Sequence, residues 1–400
     1  MVKNMTKTII IGSYYLEKDE EYISKSYYKG DICVANEQYE KVLLSGFEAA
    51  NEDYVFISSP RVGTWPSKSK RMIVKGFSEN ERLKTVSYCS LYGFLNTSKK
   101  NAIIKKIKKI LKVVPKDTKL HVIACEAHVP YLFAVKYIKE NYPNSFSTLI
   151  VPDLPVNMTR SNNVIYKILK KLDVKKIDNY CEQYVDSFLC FTNDINKKIN
   201  PHSKPCIIRE GAVIEREFDI CKNNNIIRCT FLGKTNEKNG IKKIIEMASY
   251  LPNNYVIEIF GSGDMDHILK AVNKPNIIFH GFVPPSKTTS VIENSDIMIS
   301  PREPVGEYIK YSFPSKIFEY LSFGKRIVTY KLPCYFTEID EVLDYPEDFT
   351  PQSFAKKIVE ASNNLNSQHT RYHKIRELLQ KYYAINVVLD LIKLREANEK

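Results

Sequence analysis

The residues best suited to chemistry lie in the second half of the chain. In YSFPSKIFEYLSFGKRIVTY, Pro314, Ser315 and Lys316 precede Glu319, and Gly324 follows. Proline fits the first turn of a helix because it gives up no hydrogen bond there. Ser315 and Lys316 would then sit beside a helix N-terminus, where backbone N–H groups and a cation favour phosphate. Glu319, about one turn further on, could accept from sugar hydroxyls. An ordinary helix accounts for Pro314 and Gly324, but not for a lysine and a glutamate clustered at its start. Upstream, glycines recur where apolar runs end: FLGK (Gly233, then Lys234), IFGSGD (Gly261, Gly263) and FHGF (Gly281). A glycine between strand and helix lets backbone approach a phosphate. One such glycine means little, since turns use glycine for steric reasons; three in succession point to a nucleoside-diphosphate site. In the first half, His128 follows an apolar run in VIACEAHVPYL, a strand-end position suited to positioning groups or handling protons. Asp264-Met265-Asp266 has the spacing of a metal motif. It directly follows Gly-Ser-Gly at a strand end, however, and reads as a helix start, where acids suit the dipole. No metal or cofactor is expected, because no His/Cys cluster has zinc spacing either.

Such residues need rigid elements to hold them. Short apolar runs alternate with helical periods along the whole chain. Strands are expected at Lys7–Ser13, Tyr54–Ser59, Arg71–Lys75, Leu120–Cys125, Ser147–Val151 and Phe188–Thr192. Further strands are expected at Ile226–Gly233, Tyr255–Gly261, Ile277–His280, Ile297–Ser300 and Arg326–Tyr330. This alternation implies an α/β protein of mostly parallel sheets covered by helices. EGAVIEREFDICKNNN breaks the pattern, so two Rossmann-like halves are expected, 1–213 and 214–383. The amphipathic helix 384–400 would return to the first. Ligands of such sheets bind beyond the carboxyl ends of the strands, so two sheets facing each other would form a cleft.

The second half also resembles a known family. From FLGKTNEKNGIKKIIEMASYLP through NIIFHGFVPP and NSDIMISPRE to FEYLSFGKRIV, it is similar to the donor-binding domain of the family-4-like retaining glycosyltransferases, glycosyl transferases group 1. The likeness is greatest to bacterial enzymes of capsule, exopolysaccharide and O-antigen assembly, many of which carry Phe-Pro-Ser-Lys followed by Glu-Tyr. VANEQYEKVLLSGF, SSPRVGTWPSK and TLIVPDLP extend it into the first half. The resemblance implies the GT-B architecture. It implies transfer of a sugar from a nucleoside-diphosphate sugar to a hydroxyl of a glycan or lipid-linked acceptor, without a bound metal. By the same match Glu319 would hold the ribose, and Gly233 and Lys234 would face the diphosphate. Gly281, Phe282 and Val283 would border the nucleobase, and His128 would lie near the transferred sugar and acceptor. Two positions depart from the pattern. Tyr311 stands where the family has the first of two paired glutamates, leaving Glu303 or Glu307 to substitute. Asn239, beside Lys238, stands where a lysine is usual, so Lys234 and Lys316 would share the phosphate. If the reaction inverts configuration, His128 or Glu126 is the candidate base.

Charge bears on partners. The chain has 400 residues and a net charge of +13. Between Lys99 and Lys119, Ile103, Ile104, Ile107, Ile110, Leu111 and Val114 recur at helical spacing among lysines. NVIYKILKKLDVKKI repeats this with Val164, Ile165, Ile168, Leu169 and Leu172. Such helices either pack on a sheet with solvated lysines or rest on an anionic membrane. They carry no nucleic-acid-binding motif, so nucleic acid is set aside. The first residues lack a cleavable leader and no run is long enough to span a membrane, so a cytoplasmic chain, at most peripheral at the inner membrane face, is expected. The nine cysteines show no C-x-x-C pair, and Cys181, Cys190, Cys206, Cys221 and Cys229 sit in apolar or mixed contexts as free thiols do. Two other readings fit the same fold: a sugar-nucleotide epimerase and a non-catalytic nucleotide-sugar-binding subunit.

Overall fold

The computed structural model describes residues 6–28, 35–155, 164–218, 225–365 and 369–398. Cys221 and the side chains of Val164 and Ile165 lie outside the described residues. The chain forms two compact units, Met1–Ala212 with Ala384–Lys400, and Val213–Tyr383.

In the first unit the strands are β1 (Lys7–Gly12), β2 (Tyr54–Ser58), β3 (Ile73–Val74), β4 (Leu83–Thr85), β5 (Tyr88–Cys89), β6 (Leu120–Ala124), β7 (Ser145–Val151), β8 (Ser187–Cys190) and β9 (Cys206–Ile208). The helices are α1 (Glu20–Tyr27), α2 (Ala35–Ala49), α3 (Leu95–Leu111), α4 (Val129–Asn141), α5 (Val164–Tyr184) and α6 (Asn193–Ile199). Seven strands pair in the order β4-β2-β1-β6-β7-β8-β9, every pair parallel. Parallel strands covered on both faces have no solvent side to alternate toward, which is why Ile9, Ile10 and Ile11 are all fully buried in β1. The sheet strand expected at Arg71–Lys75 is not there. Only Ile73–Val74 is extended, pairing antiparallel with Tyr88–Cys89 away from the sheet, and Ile73 is exposed. The edge of the sheet is instead Leu83–Thr85, a run too short and polar to stand out in the sequence.

In the second unit the strands are β10 (Ile227–Leu232), β11 (Tyr255–Phe260), β12 (Ile277–Gly281), β13 (Ile297–Ser300) and β14 (Arg326–Thr329). The helices are α7 (Ile241–Met247), α8 (Asp266–Ala271), α9 (Pro285–Glu293), α10 (Lys316–Ser322), α11 (Thr337–Asp340), α12 (Pro351–Asn363) and α13 (His369–Leu379). The five strands are parallel in the order β12-β11-β10-β13-β14. Ile241, Ile244 and Met247 of α7 and Phe354, Ile358 and Ala361 of α12 pack on Ile257, Ile259, Ile297, Ile299 and Val328 of the sheet. The last helix, α14 (Ala384–Ala397), packs in the first unit, burying Val387, Val388 and Leu391. It approaches α2 so closely that a Cβ on Gly46 would lie 2.3 Å from the Ala384 carbonyl oxygen.

Candidate functional site

Both sheets reverse strand order beside a central strand. In the second unit β10 is flanked by β11 and β13, so the crevice for a ligand opens beyond the carboxyl ends of β10 and β13. Backbone hydrogen bonds sew the loops at that edge together. The Gly233 N–H donates to Phe260 O at 3.0 Å, Thr235 N–H to Ser262 O at 3.2 Å, and Gly261 N–H to Gly281 O at 2.8 Å. Asp266 adds a side-chain tie, accepting from the Gly263 N–H at 2.9 Å and from the Thr235 hydroxyl. The second aspartate of the Asp-x-Asp sequence thus begins α8 and is committed to holding the glycine loop.

The glycines themselves have a steric explanation. A Cβ on Gly261, whose φ is +147°, would lie 1.7 Å from Gly233 O, and one on Gly263 would lie 2.3 Å from Thr235 O. The room left by those missing side chains is therefore filled by neighbouring backbone. Gly281, with φ +76°, meets nothing within 4 Å of its Cβ position. Beside it Phe282 is exposed, and Val283 is half-buried.

Helix α10 starts later than its proline suggests. Pro314 precedes the N-cap Ser315, and its carbonyl accepts from the Ile317 N–H at 2.9 Å, a tight turn before the helix proper. The buried Tyr320 hydroxyl donates to Leu232 O at 3.0 Å, locking α10 to the end of β10. That bond carries the half-buried Lys316 and Glu319 to the edge where Gly233 and Lys234 emerge.

The structure adds a residue that sequence reasoning passed over. The β10–β13 register pairs Cys229 with Ile297 and Thr230 with Met298. Arg302 is the second residue after the end of β13. The Arg302 guanidinium lies 5.2 Å from the centre of the Tyr308 ring, and Lys238 Nζ lies 5.2 Å from the same ring. One aromatic ring thus gathers two cations. The signal was present in PREPVGEY, directly after a strand, but spacing alone gave no reason to bring Tyr308 back onto Arg302. Asn239, at the position of the usual lysine, uses its amide to donate to Lys234 O at 2.7 Å and so shapes the loop. Glu303 pairs with Lys243 of α7, which also donates to Phe349 O. Glu307 begins a short 3-10 turn through Tyr311.

In the first unit the switch point lies between β1 and β6. His128 is the N-cap residue of α4, and its carbonyl accepts from Tyr131 and Leu132 N–H at 2.9 and 3.0 Å. Its ring meets Tyr131 edge-on at 5.1 Å, while the Tyr131 hydroxyl donates to Gly12 O at 3.0 Å. Burial, reinforced by the positive charges of Lys99 and Arg61, holds the imidazole pKa well below its usual value, so the ring is neutral at physiological pH. Around it the sequence buries charge the helical pattern did not reveal. Glu126 pairs with Arg61. Lys99 reaches Pro60 O at 3.2 Å and lies 4.6 Å over the Tyr88 ring, and burial lowers its pKa to about 7. Glu40 accepts from the Ser13 N–H at 2.8 Å, directly beneath Gly12, and burial followed by the neighbouring Glu37 raises its pKa to about 8.

Among the described residues, no group of three or more His, Cys, Asp or Glu side chains could hold a metal ion, and no helix is long and apolar enough to cross a membrane. The seven described cysteines are free.

Comparison with known proteins bears directly on the second unit. Residues 215–377 match the family model for Glycosyl transferases group 1. No curated protein matches the sequence. The solved structures that share the fold cover nearly the whole chain. The lipopolysaccharide outer core galactosyltransferase WaaB, in its apo form, is 12% identical, with 98% of this chain and 100% of that one aligned at a TM-score of 0.59. Anabaena HepE, in complex with UDP, is 9% identical, with 98% and 100% aligned at 0.57. The pneumococcal O-GlcNAc transferase GtfA, in complex with UDP and GlcNAc, is 11% identical, with 98% and 99% aligned at 0.57. The fold is therefore the GT-B fold of these glycosyltransferases, and together with the group 1 domain it supports a glycosyltransferase.

Proposed function

We propose that this protein transfers a sugar from a nucleoside-diphosphate sugar, bound at the edge of the second sheet, to a hydroxyl of a glycan or lipid-linked acceptor during assembly of a surface polysaccharide. The observation that carries the reading is the switch point of the second unit, where β10 lies between β11 and β13 and the Tyr320–Leu232 bond holds α10, with Lys316 and Glu319, against the end of β10 from which Gly233 and Lys234 emerge. A departing diphosphate gains negative charge as the glycosidic bond breaks, and fixed cations stabilise that charge most when they need not rearrange. Lys234, Lys316 and Arg302 take this part, Glu319 accepts from the ribose, and the exposed Phe282 offers a face to the base. Two of the three structures named above are complexes with UDP, which makes UDP the first nucleotide to try.

The acceptor hydroxyl must lose a proton. A neutral His128 has a ring nitrogen able to accept it or to orient the hydroxyl, whereas the Glu126 carboxylate is already engaged by Arg61. In the retaining course that the sequence resemblance favours, an oxygen of the leaving phosphate takes the proton and His128 positions the sugar. No bound metal is assigned a step.

The test is thermal stabilisation by UDP-, GDP-, CMP- and dTDP-sugars for wild type and Glu319→Ala, followed by release of free nucleotide with acceptor and by the anomeric configuration of the product. A shift with one nucleotide that disappears in Glu319→Ala supports the donor site. No shift with any nucleotide overturns it. Binding without acceptor-dependent turnover would favour the non-catalytic subunit, a reading that the tyrosine at position 311 and the Lys243-paired Glu303 keep in view.

A further inference from the structure

Helix α5 carries a second apolar face. Its inward side is set by Ile177 and Cys181, both buried. Ile168 precedes Ile177 by about two and a half turns at 3.6 residues per turn, so it faces the opposite way, and Leu172 lies one turn beyond Ile168 on that outer side. Ile168 is 55% exposed, Leu169 39% and Leu172 51%. A solvated outer face needs no leucine or isoleucine, and here three occur within five positions. Lys167, Lys171, Lys175 and Lys176 are exposed around them, and the only acid in Val164–Lys176 is Asp173.

The Asn96 side chain donates to Asp173 at 2.9 Å, tying the start of α3 to the middle of α5. The loop entering α3 exposes Leu91 at 38%, Tyr92 at 44% and Phe94 at 47%. Asp173 precedes Ile177 by one turn, so the Asn96 tie lies on the inward side of α5 and leaves Ile168 and Leu172 exposed on the outer side.

We infer that this outer face of α5 docks the protein on an anionic lipid bilayer. The apolar side chains enter the boundary between headgroups and acyl chains, and the flexible lysine stems let the ammonium groups reach lipid phosphates. A second copy of the chain is the poorer occupant, because it would bring the same lysines face to face.

The experiment is co-sedimentation of the full chain with phosphatidylcholine vesicles and with vesicles enriched in phosphatidylglycerol, in the absence of nucleotide. Wild type is expected to bind the anionic vesicles and to release as salt rises. Ile168→Ser with Leu172→Ser should abolish binding. Each neutralisation among Lys171→Gln and Lys175→Gln should weaken it about fivefold, the effect of one lysine near an anionic surface. All these positions are exposed, so melting temperatures should be unchanged. Failure of wild type to bind, equal binding by the serine variant, or a wild-type dimer that the serine variant turns into monomer would each overturn the assignment. Vesicle binding is read without donor, so such a failure leaves the nucleotide-site reading standing.

Discussion

Replacing Gly261 with alanine separates two reasons for a glycine at the donor-site edge. The added Cβ would sit 1.7 Å from Gly233 O, a backbone atom that cannot swing aside. Relief requires more than an ångström of separation between the ends of β10 and β11. That movement strains three bonds: Gly233 N–H to Phe260 O, Thr235 N–H to Ser262 O and Gly261 N–H to Gly281 O. At about 1 kcal/mol net for each hydrogen bond, plus about 1–3 kcal/mol for a non-glycine residue held at φ +147°, the cost is about 4–6 kcal/mol. With about 2–4 °C lost per kcal/mol in a unit of this size, the melting temperature should fall by roughly 10 °C or more. Gly281→Ala is the control. Its φ is +76° but nothing lies within 4 Å of the new methyl group, so only the left-handed backbone cost of about 1–2 kcal/mol applies. Both variants would be followed by circular dichroism and by their stabilisation with the nucleotide that wild type binds. If Gly261→Ala melts within 2–3 °C of wild type, a shift worth only about 1 kcal/mol, yet loses nucleotide stabilisation, the close packing of backbone is not the reason for the glycine and direct phosphate approach is.

Arg302→Ala should weaken a nucleoside diphosphate about tenfold to a hundredfold, the range for losing a hydrogen bond to a charged group, while the matching monophosphate changes little; equal losses for both would place Arg302 away from the diphosphate. Glu40 has a folded-state pKa of about 8 against an ordinary 4.5, so the native state holds the extra proton and stability falls as pH rises from about 4.5 toward 8. Glu40→Gln keeps an acceptor for the Ser13 N–H and should flatten the decline in melting temperature between about pH 4.5 and 7, below the range where the lowered Lys99 pKa adds an opposing trend; an unchanged slope would show that Glu40 is ionised in the folded protein.

Periodicity alone determined much of this protein. Unbroken apolar runs such as Lys7–Gly12 and Ile297–Ser300 are strands buried on both faces, and their alternation with helical periods leaves few architectures other than parallel sheets covered by helices. The helix start at Pro314 and the family resemblance, not periodicity, singled out Lys316, Glu319 and Lys234 as candidates. What sequence could not supply was which side chains return to meet one another. Tyr308 gathering Arg302 and Lys238, Asn239 holding the Lys234 carbonyl, and Tyr320 fastening α10 to β10 are contacts across loops. Local spacing carries no information about such contacts. The same limit hid the buried Glu40 and Lys99: one lysine in a lysine-rich helix looks like its neighbours until packing takes it out of water. Charge and apolar pattern fix what each segment prefers, while burial, set only when distant segments close on one another, decides which of its residues keep water and which acquire a chemistry of their own.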